Sequence, residues 1–344
     1  MTVPEAANFL NITSQAIVKK LKSKNLDFEK VQNRIYFGYN SSKKIFDLKT
    51  KPVVIATQIV KGGTGKSSIT MNLAIRANLY GLKVLCIDLD QQANLTELFG
   101  FDAVEDHPIM LDVIESDGKI KIENNLIEIT QGLHLFPSRL DNAALDDTIL
   151  LKGLGIDRVY KELIAPLKSY YDVIFIDCPP ALGRSVTAAA YASDKIIAPV
   201  APDRLCLTGL RLLHETLEEI KESKYGREIP YEIVYNKFDS RTSLSKEVLS
   251  TLLTHPIYKD KMNLNYIRQS QEFPNSAAIR TSVFDTFKST AAKEDIDLLL
   301  QNLLDINKKP SETNEAPKIS VVSISTKKIK KPKQAASKRN QQNG

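Results

Sequence analysis

Five short apolar runs mark the middle of the chain: Pro52–Ile59, Lys83–Leu89, Asp172–Asp177, Lys195–Val200 and Glu232–Asn236. They are near-continuously apolar and rich in Val and Ile, the pattern of strands buried on both faces of a parallel sheet. Stretches of helical period lie between them. Ser67–Tyr80 is one, and Gly81 behind it is a helix stop. Strand, helix and strand in repeated order predict an α/β domain, doubly wound around a mostly parallel sheet.

The pattern changes at both ends. Residues 2–21 predict two short helices: Thr2 and Glu5 form a capping box, and Ala6, Phe9 and Leu10 follow at helical spacing. Asn11-Ile12 makes the turn, and Thr13 or Ser14 opens the second helix. Ile17 and Leu21, four apart, face the first helix, which leaves Gln15, Lys19, Lys20 and Lys22 pointing largely outward. Phe28–Tyr39, apolar and aromatic around Gln32-Asn33, predicts a hairpin or wing. Near the other end, Ile296 to Leu304 is a long apolar-periodic stretch. Residues 308–344, rich in Lys, Ser, Pro, Asn and Gln, are expected to be disordered. The expected organisation is thus a small unit over 1–50, a large one over 51–307 and a tail over 308–344.

Composition narrows the class. The chain has 344 residues, 42% hydrophobic and 26% charged, enough for a sizeable core without disulfide or metal staples. No run approaches the ~18 uncharged apolar residues that span a bilayer, and the first residues lack the basic-then-apolar layout of a secretory leader. Cys86, Cys178 and Cys206 are an odd count with no CxxC pair, so they are expected to be buried thiols of a cytosolic protein. The net charge of +6 is unevenly spread: residues 1–50 carry 9 basic and 4 acidic side chains, residues 308–344 carry 10 and 2, and the middle 28 and 35. Two basic ends on an acidic middle fit contact with a polyanion. A merely solvated tail fits the same numbers, so charge alone does not choose.

The chemistry is concentrated after the first run, at Lys61-Gly62-Gly63-Thr64-Gly65-Lys66-Ser67-Ser68. The ordinary phosphate-loop pattern needs a Gly five positions before its second Gly, and Val60 stands there instead. The residue types still suit phosphate. Gly62, Gly63 and Gly65 let the backbone approach anionic oxygens and take dihedrals closed to other residues. Their N–H groups and the start of the next helix form an anion cradle. Lys66 can reach β- and γ-phosphates, and the Ser67 hydroxyl can ligate Mg²⁺. A strand before and a helix after supply the context that the motif requires.

KGGTGKSS resembles the deviant Walker A box of the ParA/MinD-type ATPases. The resemblance continues in order. Ile87–Thr96 (IDLDQQANLT) is similar to the family's D-x-D-P-Q-x-N-x-T switch, with Gln91 in place of the proline. Tyr171–Leu182 (YDVIFIDCPPAL) resembles its Walker B and second switch, Tyr191–Val200 the next strand region, and Asn236–Thr242 the segment near the adenine. The match covers about residues 52–305 and weakens after 245. It implies a weak basal ATPase with ATP and Mg²⁺ as cofactors. Lys61 is implied as the lysine that reaches the nucleotide of a second copy in an ATP-bound sandwich dimer. Asp90 is implied as the carboxylate that hydrolysis needs and as a metal-site residue with Ser67 and Asp177, Asp177 as the Mg²⁺ holder through water, and Asn236 as an adenine contact. A helix cap at Asp90 and a turn residue at Asn236 are the plainer alternatives. The N-K-x-D string at 236–239 is also compatible with guanine, while the resemblance favours adenine. Cys178 has no near partner for an iron–sulfur cluster.

The first 50 residues resemble a winged helix-turn-helix of the MerR or excisionase kind, whose second helix enters the major groove. Gln15, Lys19, Lys20 and Lys22 would then meet DNA, and a small capping subdomain is the plainer alternative. Arg268 and Arg280 lie near the region where ParA proteins carry basic residues for sequence-independent DNA binding. The tail segment Thr326–Arg339 has seven basic residues and no apolar face, unlike the amphipathic membrane helix that ends MinD-type proteins. Together these imply a bacterial, cytoplasmic, nucleoid-associated partition ATPase. It would bind DNA, dimerise with ATP, respond to a ParB-type centromere-binding partner and bind no membrane. Autorepression through the helix-turn-helix is a further expectation. The alternatives are a nucleotide-switched transcription regulator and a MinD-like membrane-positioning ATPase.

Overall fold

The computed structural model describes residues 1–306 apart from Gln32, Ala103 and Phe287. The chain opens with α1 (Val3–Leu10) and α2 (Ser14–Ser23). The Thr2 hydroxyl accepts from Glu5 N at 3.3 Å and Glu5 Oε2 accepts from Thr2 N at 2.8 Å, the expected capping box. Asn11 turns left-handed to end α1, and the Thr13 hydroxyl caps α2. A hairpin of β1 (Glu29–Val31) and β2 (Arg34–Tyr36) follows, then α3 (Tyr39–Phe46). That third helix has little sequence signal, because Tyr39-Asn40-Ser41-Ser42 are poor helix formers and tertiary packing decides the matter.

Next come β3 (Val53–Thr57), α4 (Lys66–Leu79) and β4 (Val84–Asp88), then the short helices α5 (Asn94–Leu98) and α6 (Met110–Glu115). A hairpin of β5 (Ile127–Thr130) and β6 (Leu133–Phe136) leads to α7 (Leu145–Leu151) and α8 (Val159–Ile164). The remainder runs β7 (Val173–Asp177), α9 (Arg184–Ala192), β8 (Lys195–Val200), α10 (Leu205–Glu222), β9 (Tyr231–Tyr235), α11 (Ser243–Thr254), α12 (Glu272–Ala278) and α13 (Ala291–Leu303). Among the described residues, seven strands form one sheet in the order β5-β6-β4-β7-β3-β8-β9, all parallel except β5. The five apolar runs are β3, β4, β7, β8 and β9, within two residues at each end. The edge hairpin is less legible: Glu128 and Thr130 of β5 face solvent, and each strand has only four residues.

Register places the chemistry. Thr57 at the end of β3 stands opposite Asp177 at the end of β7, and Asp88 at the end of β4 flanks Asp177 on its other side. Ligands of open α/β sheets bind at this carboxyl edge. Fully buried residues such as Ile55, Ile87 and Phe175 fix that edge, and each such side chain contributes about 1.5–3 kcal/mol.

Residues 1–50 share the core of the larger part instead of building their own. Phe9 and Phe46 pack on Tyr80, just past α4, with ring centroids 4.5 and 5.4 Å away. The Arg76 guanidinium of α4 stacks on Tyr80 and donates to Asp297 of α13 at 2.7 Å, and the Tyr80 hydroxyl donates to the same oxygen at 2.6 Å. Gly81 takes φ +82° where the α3 backbone closes on it, and a Cβ there would strike the main chain of Lys43. The described residues accordingly fall in one compact unit, in which position 50 marks a change of layer and not of core. The tail expected over 308–344 lies outside the described residues.

Candidate active site

β3 feeds the glycine-rich loop and α4 carries the chain away from it. Gly63 and Gly65 take φ of +73° and +94°, where L side chains are strained. The loop, Lys66, Ser67, Ser68, Asp90 and Gln92 line a cavity of about 400 Å³. Lys66 is buried, and its Nζ donates across the loop to the Lys61 carbonyl at 3.0 Å. Burial pushes its ammonium below the ordinary value, while Asp177 and Asp90 pull it back up.

Asp177 is fully buried at the end of β7. Thr70 Oγ1 lies 3.5 Å from its Oδ1, and its Oδ2 has no hydrogen-bond partner. Burial and the neighbouring Asp88 push its carboxyl well above the usual range, with Ser67 and Lys66 opposing. Thr64 Oγ1 is also buried without a partner. Such atoms cost roughly 1–3 kcal/mol each unless something binds them. An orphaned carboxylate oxygen beside a serine hydroxyl fits a hydrated Mg²⁺, which keeps several waters and takes one or two protein ligands. Among the described residues no group of three or more His, Cys, Asp or Glu makes a closed metal cage, so phosphate and water would complete that shell.

Asp90 is 3% exposed and lines the cavity, its Oδ1 accepting from Gln92 N at 3.0 Å. That bond closes a turn within the switch, and the residue heads no helix: α5 starts at Asn94 after a left-handed Ala93. Lys61 is ion-paired with Asp203 at 3.2 Å, outside the cavity wall. Asn236 braces the loop, its Nδ2 donating to Thr64 O at 2.7 Å and its amide standing where a Gly65 side chain would be. Lys237 adds a second brace, donating from Nζ to Gly63 O at 2.8 Å.

The structure gathers Lys61–Ser68, Asp90, Asp177 and Asn236 around one loop. It leaves Gln15, Lys19 and Lys22 exposed and Lys20 half-buried on α2. The two arginines expected to contact DNA are differently placed. Arg268 donates to Asp295 at 2.6 Å and to Glu294 at 2.8 Å, which ties the segment before α12 to α13. Arg280 lines the nucleotide cavity and is ion-paired with Asp102. Both side chains are partly exposed, 41% for Arg268 and 46% for Arg280, and each holds a carboxylate that a DNA phosphate would have to replace. Cys86, Cys178 and Cys206 are buried thiols.

Sequence reasoning missed Asp203, Lys237, Thr70 and Ser138. Asp203 follows β8 closely, and a carboxylate just past a parallel strand was the available signal. Lys237 stands inside the N-K string. Thr70 and Ser138 are small hydroxyls with no pattern that marks them.

Comparison with known proteins agrees with this geometry. A family model described as an AAA domain matches residues 52–229. Cell division protein PomZ of Myxococcus xanthus is 30% identical over 247 residues, 71% of this chain and 75% of that protein. The virulence plasmid ParA family protein pGP5-D of Chlamydia trachomatis is 28% identical over 251 residues, 72% of this chain and 91% of that one. An ATP complex of a Cyanothece McdA variant superposes with a TM-score of 0.66 at 17% identity, over 77% of this chain and all of that one. Cobyrinic acid a,c-diamide synthase of Mycobacterium smegmatis, solved with an ATP analogue and magnesium, gives 0.59 at 24% identity, over 76% of this chain and all of that one. Those two likenesses establish the fold alone, and the synthase shows that the fold serves other chemistry. The family match and the PomZ relationship, on a deviant phosphate loop opposite a buried strand-end carboxylate, place the chain in the AAA-domain family as a ParA/MinD-type P-loop ATPase.

Proposed function

We propose that this chain is a partition or positioning ATPase whose nucleotide state controls its hold on DNA. ATP and Mg²⁺ are the cofactors of the site. The loop backbone from Gly62 to Ser68 and the start of α4 hold the phosphates, and Lys66 meets their charge. Ser67 would ligate Mg²⁺ and Asp177 would hold it through water. Asp90 orients the attacking water, and Asn236 adds an adenine contact to its role as a brace. Hydrolysis ends the DNA-bound state, and a ParB-type centromere-binding partner accelerates it. The difference in DNA affinity between nucleotide states is all that the cycle needs. The exposed face of α2, with Gln15, Lys19 and Lys22, supports a second activity: operator binding and autorepression by the helix-turn-helix. Such a protein works in the bacterial cytoplasm, on the nucleoid. Among the described residues no helix is long and apolar enough to cross a membrane.

The observation that carries this reading is the position of Lys61. Its side chain is 30% exposed and is held at the loop's mouth by Asp203, instead of being turned into the cavity that Lys66 serves. From there it can leave Asp203 for a phosphate bound to a second copy. Light scattering during gel filtration tests this. The wild type is expected to shift from monomer to dimer with ATP–Mg²⁺ and not with ADP, while Lys61→Ala stays monomeric with either. A Lys61→Ala protein that dimerises normally with ATP would overturn the reading.

A further inference from the structure

The backbone of Asp90 is held at both polar atoms. Its N–H donates to Asp88 Oδ1 at 3.0 Å, and its carbonyl accepts from Ser138 Oγ at 2.6 Å. The other Asp88 oxygen accepts from Thr96 N at 2.9 Å and from Thr96 Oγ1 at 2.8 Å. Thr96 Oγ1 accepts in turn from Ser138 N at 3.0 Å, which closes a ring from Asp90 through Asp88, Thr96 and Ser138 back to Asp90. Asn142 stands behind it, donating from Nδ2 to Ser138 Oγ at 2.7 Å and accepting from Leu111 N at 3.2 Å.

Every side chain of this support is buried: Asp88 is 0% exposed, Thr96 and Ser138 1% and Asn142 3%. The directions are therefore fixed. The Ser138 hydroxyl has one proton, which goes to the Asp90 carbonyl, and Asn142 fills a lone pair. The ring ties together the ends of β4 and β6 and the first turn of α5. The switch's own bonds, from Ala93 N to the Asp90 carbonyl at 2.8 Å and from Gln92 N to Asp90 Oδ1 at 3.0 Å, close the turn upon itself. They shape the turn but do not anchor it to the neighbouring strand. Leu89 N donates to the Asp177 carbonyl at 3.0 Å and ties the preceding residue to β7; the Ser138 hydroxyl holds Asp90 itself to the segment just past β6, and with it sets where the Asp90 carboxylate stands against the cavity.

We propose that Ser138, with Thr96 and Asn142 supporting it, is a positioning residue for the hydrolytic step: it fixes the Asp90 main chain so that its carboxylate faces the attacking water. This rests on the role given to Asp90 above. A 1 Å misplacement of a reacting group costs as much as about 100-fold in rate. The step affected is turnover more than nucleotide binding, because none of these hydrogen bonds runs to the glycine-rich loop.

Ser138→Ala and Ser138→Thr test the proposal on the full chain. Turnover is measured against ATP concentration with Mg²⁺ and random-sequence duplex DNA, and binding with a fluorescent ATP analogue. Ser138→Ala is expected to lose about tenfold or more in kcat, with KM and analogue affinity within about twofold of wild type. Ser138→Thr keeps the hydroxyl and is expected to restore most of the loss. A merely structural role would instead lower kcat and affinity together, and would not be rescued by a bulkier residue. Should Ser138→Ala fail to fold, Thr96→Val against Thr96→Ser makes the same comparison, and equal turnover in that pair overturns the proposal. Asp90→Ala run alongside separates the two levels. Normal turnover in Ser138→Ala beside a silent Asp90→Ala overturns the positioning role alone. Normal turnover in Asp90→Ala overturns both.

Discussion

Lys66→Ala is expected to weaken ATP binding by at least about 100-fold, the equivalent of about 3 kcal/mol. The lysine is buried at the floor of the cavity, with its ammonium tied to the Lys61 carbonyl. A bound nucleotide would replace that neutral acceptor with phosphate oxygens, and hydrogen bonds between charged partners are worth roughly twice neutral ones. Removing the cation also leaves the Asp177 and Asp90 carboxylates facing the phosphates with one less opposing charge. Both effects have the same sign, which is why this substitution has the largest expected effect on binding. Titration with a fluorescent ATP analogue measures it directly. An affinity within about threefold of wild type would mean that the phosphates lie elsewhere.

Asp90→Ala has the largest expected effect on turnover. The carboxylate lines the cavity, and its bond to Gln92 N closes its own turn without reaching the glycine-rich loop. Its charge acts on Lys66 through space, behind the stronger influence of Asp177, so its loss should leave the phosphate cradle intact. A carboxylate that positions the attacking water is expected to contribute on the scale of a positioned base, about 100- to 10,000-fold. The variant is thus expected to bind ATP–Mg²⁺ with wild-type affinity and to hydrolyse it about 100-fold or more slowly. It should accumulate as a dimer that stays on DNA after wild type has released. Phosphate release and gel filtration in the presence of a duplex report the two halves of this expectation. Normal turnover would remove Asp90 from the mechanism.

The sequence and the fold agree where periodicity is strong. β3, β4, β7, β8 and β9 are mostly buried, so their composition is largely apolar and rich in Val and Ile, and their ends are readable. The phosphate loop is legible for another reason: three glycines, two lysines and a serine pair in eight residues have few uses besides phosphate. The rest depends on distant contacts. α3 forms because Phe46 finds Phe9 and Tyr80, which are far away in sequence. The switch support depends on Ser138 meeting Asp90 across 48 residues, and a lone buried serine leaves no pattern. The ion pairs of Arg268 with Asp295 and of Arg280 with Asp102 are equally invisible, because each joins residues distant in sequence.

Binding to a random-sequence duplex, without nucleotide, with ADP and with ATP–Mg²⁺, across a salt series, tests the central claim most directly. The account predicts tight binding with ATP–Mg²⁺ alone, weakening steeply as salt rises, because released counterions drive association with phosphates. Equal affinity in all three nucleotide states would contradict it, since the basic ends would then hold DNA without any contribution from the ATPase site.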